Sequence, residues 1–441
     1  MSARPALPDG PFLVVGLARS GIAAALLLHG RGAAVIGVDA GSPEVERLRA
    51  AGVEVHVDDS GTDLLDRVGA LVKSPGVPGT APAVALARER GLPVLGEVEL
   101  AWRLLPNDFI AVTGTNGKTT TTELLGHIHR EAGLPVAVAG NVGTPVASLV
   151  GALAPATTVV CESSSYQLED TIAFAPAAAV LLNVTPDHLD RHGTFEAYRE
   201  AKLEAFRRQR PGDVAVAPTD LAPLLPGAGR RVTFGLAADG ATVALHDDGT
   251  ITWEGEPLIA AAEIGIPGPH NRENAMAAAA VALARGIDRD AVRAGLRSFG
   301  GVAHRLEPIR ERDGVAYVND SKATNVDATA VALRSYPPGS VRLIAGGVTK
   351  AQEFSPLVAL VAERCASVHL IGEGAAEIAA ALEPAGVPLH DDGDMEHAVA
   401  AAGAAARPGQ VVLLSPACAS FDQYANFEAR GDHFRRLAQE A

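Results

Sequence analysis

Short apolar runs alternate along this chain with longer stretches in which apolar residues recur at helical spacing. Pro11-Phe-Leu-Val-Val-Gly16 is a continuous apolar run, the pattern of a strand buried on both faces of a parallel sheet. Leu17-Ala-Arg-Ser-Gly21 then makes a glycine turn, residues 22–29 a helix, and Ala34-Val-Ile-Gly-Val-Asp39 a second strand ending on an acid. Strand, glycine turn, helix and strand predict a Rossmann-like βαβ unit. Gly16 and Gly21 fit the outer glycines of the dinucleotide fingerprint, but Ala18 stands where a middle glycine lets a pyrophosphate approach the backbone, which argues against NAD. Asp39 can accept a hydrogen bond from a ribose or a uracil, and reads equally well as a solvated strand end.

A second unit begins near Asn107. Asp108-Phe-Ile-Ala-Val-Thr113 predicts a strand running into a glycine loop, and strands at 135–139, 158–161 and 178–183 alternate with helices. From 214 to 266 the runs are short, β-like and broken by Gly and Asp, and an Ala-rich helix over 274–285 and a smaller one ending at Arg297 close the unit. Phe299-Gly-Gly-Val-Ala303 is a glycine-containing link, beyond which strands at 315–318, 341–345, 368–371 and 411–414 alternate with further helices. This alternation predicts an α/β fold with parallel sheets. It divides the chain into a Rossmann-like N-terminal domain (1–106), a central P-loop-like, ATP-binding, parallel-sheet domain (107–302) and a C-terminal Rossmann-like α/β domain (303–441). A length of 441 residues fits about three domains.

Composition narrows the function. A net charge of −15 argues against nucleic acid as the main partner, because phosphate backbones need a basic face. No apolar run reaches ~18 residues without Gly, Pro or charge, so no membrane insertion is expected. The N-terminus does not read as a signal peptide. Three scattered cysteines, Cys161, Cys365 and Cys418, fit a reducing cytoplasm better than a disulfide framework or a zinc cluster. Arg430-Gly431-Asp432 spells an adhesion tripeptide by letters only and carries no weight here.

The basic residues are the informative ones. Only five of 37 are lysine: Lys73, Lys118, Lys202, Lys322 and Lys350. A chain that uses Arg for general positive charge should keep Lys where a compact ammonium or a reactive amine is needed. Lys118 lies in Gly114-Thr-Asn-Gly-Lys-Thr-Thr120, between a predicted strand and a helix. Backbone N–H groups and a helix N-terminus favour phosphate there; Lys118 would reach the β/γ-phosphates and Thr119 would ligate Mg²⁺. The usual pattern would need Gly at 112, where Val112 stands, so this is a shorter relative of that loop. Glu162 ends a strand beside Ser163 and Ser164, and reads as a ligand site or as a satisfied polar strand end. His188 and His192 have H-x3-H spacing, but no further Cys or His completes a zinc set.

Together, Thr113-Gly-Thr-Asn-Gly-Lys-Thr-Thr120, Glu162-Ser-Ser-Ser-Tyr-Gln167, Asn183-Val-Thr-Pro-Asp-His188, His270-Asn-Arg-Glu-Asn274 and His304-Arg305 resemble the Mur ligase family, which builds the peptide stem of the peptidoglycan precursor. Asn319-Asp-Ser-Lys-Ala-Thr-Asn325, Ser415-Pro-Ala-Cys-Ala-Ser-Phe-Asp-Gln423 and Asn426-Phe-Glu428 are similar to the member that adds D-glutamate. The resemblance covers all three proposed domains.

What it implies is an ATP-driven amide ligase. The carboxylate of UDP-N-acetylmuramoyl-L-alanine attacks the γ-phosphate of ATP, and the amine of D-glutamate attacks the acyl phosphate. The resemblance puts Gly114, Thr115, Asn116, Gly117, Lys118, Thr119 and Thr120 on the ATP phosphates, with Asn141, Asn274, Arg305 and Asp320 lining the nucleotide site. Arg305 and Asp320 belong to the third domain, so domain closure is expected to complete that site. Thr119, Glu162 and His188 would hold two Mg²⁺ ions, and Lys202 matches a lysine that CO₂ converts to a carbamate ligand; read without the family it is an exposed helix lysine. Lys118, Glu162, His188 and Lys202 form the catalytic group. Lys322, Thr324, Lys350, Ser420 and Phe427 would surround D-glutamate or the reacting phosphate, and Ser20, Asp39, Ser74 and Ser164 the UDP substrate. The partners implied are these small molecules, acting on a cytoplasmic monomer. Three other readings compete: the same chemistry with L-glutamate, a folylpolyglutamate synthetase-type ligase, which needs no uridine domain, and a P-loop-like ATPase switch, which needs no amino-acid pocket.

Overall fold

The computed structural model describes residues 4–349 and 352–440. The chain divides into two units, one up to Phe299 and one from Gly300. Among the described residues no helix is long and apolar enough to cross a membrane.

The first unit contains two sheets. The N-terminal one is built from β1 (Phe12–Val15), β2 (Val35–Val38), β3 (Glu54–His56), β4 (Ala70–Lys73) and β5 (Val94–Gly96), all parallel in the order β3-β2-β1-β4-β5. The residues of β1, Phe12, Leu13, Val14 and Val15, are all buried, because helices cover both faces.

The second sheet carries β6 (Phe109–Thr113), β7 (Val136–Gly140), β8 (Thr158–Glu162), β9 (Ala178–Leu181), β10 (Val214–Pro218), β11 (Arg230–Leu236), β12 (Val243–Leu245), β13 (Thr250–Trp253) and β14 (Glu256–Ala260). Their order is β14-β13-β12-β11-β10-β9-β6-β8-β7, parallel except at the β12-β13-β14 end. The Gly- and Asp-broken stretch from 214 therefore extends the central sheet. The Ala-rich helix runs Pro269–Ala284, starting five residues before its predicted start because Gly268 and Pro269 mark its N-terminus. Small side chains at Ala275 and Ala277–Ala280 are buried and let it pack closely.

The second unit has one sheet of β15 (Glu307–Arg312), β16 (Val315–Asn319), β17 (Val341–Gly346), β18 (Cys365–Ile371), β19 (Leu389–Gly393) and β20 (Val411–Leu414). The order is β15-β16-β20-β17-β18-β19, with β15 antiparallel to β16 and the rest parallel. Two apolar layers, around Leu343, Val368 and Leu413 and around Ile344, Val412 and Phe434, cover its faces.

Candidate functional site

The central sheet changes direction at β6. The chain crosses from β6 to β7, returns to β8 between them, and then passes to β9 on the other side of β6. Ligands of open α/β sheets gather at the C-terminal ends of strands at such a switch point. The register pairs Val112 with Glu162 and Thr113 with Leu181. It thus brings the 114–117 loop, Asn141, Glu162 and the segment after Asn183 to one edge.

The loop is held by its neighbours. The side-chain oxygen of Asn183 accepts from the backbone N–H groups of Thr115 (3.1 Å) and Asn116 (2.8 Å). Lys118 Nζ donates to the carbonyls of Gly114 (3.0 Å) and Thr115 (2.8 Å), so its ammonium lies against the phosphate loop. Gly117 sits at φ +83°, and a Cβ there would overlap Asn274 Oδ1. Only glycine allows that approach, which brings Asn274 onto the loop. Asn141 Nδ2 donates to Glu162 Oε1 at 2.9 Å.

Lys202 is not an exposed helix residue. It lies on the helix Phe195–Arg207 with about 1% of its surface exposed. Its Nζ donates to the Gly114 carbonyl at 2.7 Å and sits 4.3 Å from the centre of the Tyr198 ring. Burial, with the nearby charge of Lys118 second, brings its amine down to about 7 from its ordinary 10.5. The Tyr198 hydroxyl is 3.1 Å from Thr115 Oγ1, so this tyrosine joins the lysine to the loop.

His188 adopts φ +52°, a strained conformation for a residue with a side chain, and such outliers gather at working sites. Its ring is 4.9 Å from that of Tyr166. His192 turns to Ser165 Oγ (3.0 Å), and among the described residues no group of three or more His, Cys, Asp or Glu could hold a metal. Thr119 on the helix Lys118–Glu131, Glu162 at the end of β8 and His188 on the segment after β9 are single donors from three separate segments. That set suits a hard ion that completes its shell with phosphate and water oxygens, and is a poor fit to zinc.

The expected UDP-substrate residues take up defined positions. Ser20 is the second residue of the helix Arg19–Gly30, and Ser74 is buried just past β4. Asp39 accepts from the N–H groups of Leu17 (2.6 Å) and Gly41 (2.9 Å), which ties the glycine turn after β1 to the end of β2. Ser164 caps the helix Ser165–Leu168 through a reciprocal box with Gln167. Lys73, the lysine without a motif, is fully buried and ion-paired with Asp170 (2.7 Å) and Glu169 (3.3 Å), joining the two sheets of the first unit.

In the second unit the ends of β16, β20 and β17 adjoin, since Asn319 and Ile344 both pair with Leu414. Asp320, Lys322 and Thr324 follow β16, and Ser420 lies on the segment following β20. Asp320 accepts from the Leu306 N–H (3.1 Å) and from the Ser415 hydroxyl (2.8 Å), and burial pushes its carboxyl up to about 7. It thereby fixes the backbone next to Arg305. His304, Leu306 and Ala417 all hold positive φ, at +61°, +43° and +60°, on the loops of this edge. Phe427 begins the helix Phe427–Glu440, its ring edge-on to His304. Lys350 lies outside the described residues.

A second polar row lies elsewhere on this sheet. Ser367 Oγ is 3.0 Å from His369 Nε2, and His369 Nδ1 is 2.7 Å from Asp392. These are hydrolase-like distances, but Ser367 is 1% exposed and takes a hydrogen bond from Arg342, so the row is structural.

A glycine loop at a switch point, a buried lysine beside it with its amine held near 7, and polar loops at the strand ends of a separate unit fit an ATP-dependent ligase of the Mur type. The sequence matches the MurD-like N-terminal domain of Mur ligases over residues 11–96, the Mur ligase middle domain over 112–282 and the Mur ligase glutamate ligase domain over 304–418. UDP-N-acetylmuramoylalanine–D-glutamate ligases from Pelotomaculum thermopropionicum and Anaeromyxobacter dehalogenans are 44% and 43% identical to it, over 96% of both chains and 99% of both chains. Two solved structures share its fold: the MurC ligase of Thermotoga maritima (20% identity, TM-score 0.57, 98% of this chain and 100% of that one) and the MurF ligase of the same organism (19%, 0.54, 98% and 96%). The chain belongs to the Mur ligase family, in its branch of UDP-N-acetylmuramoylalanine–D-glutamate ligases.

Proposed function

We propose that this chain forms the amide bond between UDP-N-acetylmuramoyl-L-alanine and D-glutamate, converting ATP to ADP and phosphate, as a cytoplasmic monomer in peptidoglycan precursor synthesis. The strongest support is identity above 40% to D-glutamate ligases along nearly the whole chain. The three sheets favour domains at 1–106, 107–302 and 303–441.

The first barrier is the approach of two anions, the alanine carboxylate and the γ-phosphate. Lys118, at the loop carbonyls, offsets phosphate charge, and the loop N–H groups orient the chain of phosphates. Mg²⁺ adds charge neutralisation when bound; Thr119, Glu162, His188 and Lys202 as its carbamate would hold it. The Lys202 amine can react with CO₂ because burial keeps much of it uncharged near neutral pH. Asn141, Asn274, Arg305 and Asp320 take the nucleotide role; Ser20, Asp39, Ser74 and Ser164 receive the UDP substrate. In the second step the neutral amine of D-glutamate attacks the acyl carbonyl, and phosphate leaves. Lys322, Lys350, Thr324, Ser420 and Phe427 orient the incoming amino acid, with the two lysines supplying local positive charge in an acidic protein.

Oxygen tracing tests the route. With ¹⁸O in the alanine carboxylate, one labelled oxygen should appear in each phosphate released. Unlabelled phosphate would show that this carboxylate does not attack ATP.

A further inference from the structure

The glutamate-site residues come from four separate segments of the second unit, and one side chain ties these segments together. Arg430 lies on the helix Phe427–Glu440 and is 1% exposed. Its Nε donates to Ser321 Oγ at 3.0 Å, and its Nη2 to the carbonyls of Ser321 (2.9 Å) and Cys418 (3.1 Å). Its Nη1 reaches the Gly346 carbonyl at 3.4 Å. Ser321 lies between Asp320 and Lys322, Cys418 two residues before Ser420, and Gly346 at the start of the segment leading to Lys350. Ser321 Oγ in turn donates to the Phe427 carbonyl at 2.8 Å, which brings in the fourth segment.

Among the described residues Arg430 forms no ion pair with a carboxylate. Its partners are neutral carbonyls and one hydroxyl. Asp422 attracts it without reaching an ion pair, and a buried cation without a directly paired counter-ion is a poor way to stabilise a fold, since an apolar side chain of similar volume avoids the desolvation cost. Its planar fork, however, can span several carbonyls at fixed angles, which Lys cannot. The next residue extends the joint. Asn319 Nδ2 donates to the Gly431 carbonyl (3.2 Å) and lies 3.0 Å from His304 Nδ1, and a Cβ on Gly431 would overlap the His304 ring. The Arg-Gly pair thus belongs to the interior of the second unit.

We propose that Arg430 is a positioning residue for the amino-acid substrate, an amino dicarboxylate: it fixes the Lys322, Ser420 and Gly346 segments in register. The inference rests on the reading of this unit as the glutamate site. The test is steady-state kinetics of Arg430→Ala and Arg430→Lys against all three substrates, with and without added guanidinium ion. Arg430→Ala should raise KM for D-glutamate roughly 10- to 100-fold, the worth of hydrogen bonds to a charged group. KM for the UDP substrate should change little, and guanidinium should restore part of the glutamate affinity. Arg430→Lys should keep the fold and still show a raised KM for glutamate, which carries the test if the alanine variant does not fold. Folded variants with unchanged glutamate KM, or an equal rise in KM for all substrates without guanidinium rescue, would overturn the proposal. A wild-type enzyme that forms no glutamate adduct would overturn the functional reading itself.

Discussion

Lys202→Arg should be nearly inactive, with kcat lower by roughly 10²- to 10³-fold, the scale for losing one electrostatic element of an active site. The substitution keeps a positive charge, so a lysine acting as a cation would tolerate it better. A guanidinium cannot take up CO₂ at the enclosed position where the amine lies 2.7 Å from the Gly114 carbonyl and 4.3 Å from the centre of the Tyr198 ring. Lys202→Ala should be equally impaired but partly restored by acetate, which can enter the vacated space and supply oxygens. The pH dependence has a defined sign. With its amine held near 7, Lys202 is mostly protonated at lower pH and cannot add CO₂ there. Reactivation of CO₂-stripped enzyme, at fixed dissolved CO₂, should rise about tenfold per pH unit below about 7 and level off above it. An ordinary lysine would keep gaining up to about 10.5. The unmodified amine also costs stability, fully below about pH 7 and progressively less towards 10.5, because the unfolded chain holds the extra proton in that window. An active Lys202→Arg enzyme would contradict this account.

Lys118→Met should have a comparable effect on kcat, roughly 10²- to 10³-fold, by removing an ammonium that lies against the Gly114 and Thr115 carbonyls of the phosphate loop. The methionine matches the stem in length, and two loop carbonyls lose a donor at a site near solvent, so the fold should survive. Thermal unfolding checks both points. The variant alone should melt close to the wild type, while the increase in Tm produced by ADP should shrink as its affinity falls. A variant that keeps the full nucleotide-dependent shift and its turnover would remove Lys118 from the phosphate site.

The main strands were legible because parallel sheets bury both faces of short apolar runs. That signal is plain in Phe12–Val15, Phe109–Thr113 and Val411–Leu414. It fails for Leu389–Gly393, a polar edge strand, and for Ala70–Lys73, whose last residue is a buried lysine. Lys73 carried no sequence sign of burial, since its counter-charges, Glu169 and Asp170, lie nearly a hundred residues away. The phosphate loop was legible because its chemistry is local. Its supports were not: Asn183 stands in a recognised motif, yet its bonds to Thr115 and Asn116 depend on β6 and β9 being neighbours, and Tyr198 reaches Thr115 from the helix Phe195–Arg207, more than eighty residues on. An asparagine directly after an apolar strand, beside a strand that ends in a glycine loop, was the available clue. Arg430 was hidden in the same way, because its partners come from three strand ends joined only by the sheet order.

The most direct test of the central claim is the product itself. The enzyme, ATP and Mg²⁺ are incubated with UDP-N-acetylmuramoyl-L-alanine and either D- or L-glutamate, and the nucleotide product is identified by mass. The D enantiomer should give the UDP-N-acetylmuramoyl-dipeptide with one ADP and one phosphate per amide bond, and the L enantiomer none. Product from L-glutamate alone, or ATP hydrolysis without any adduct, would contradict the assignment.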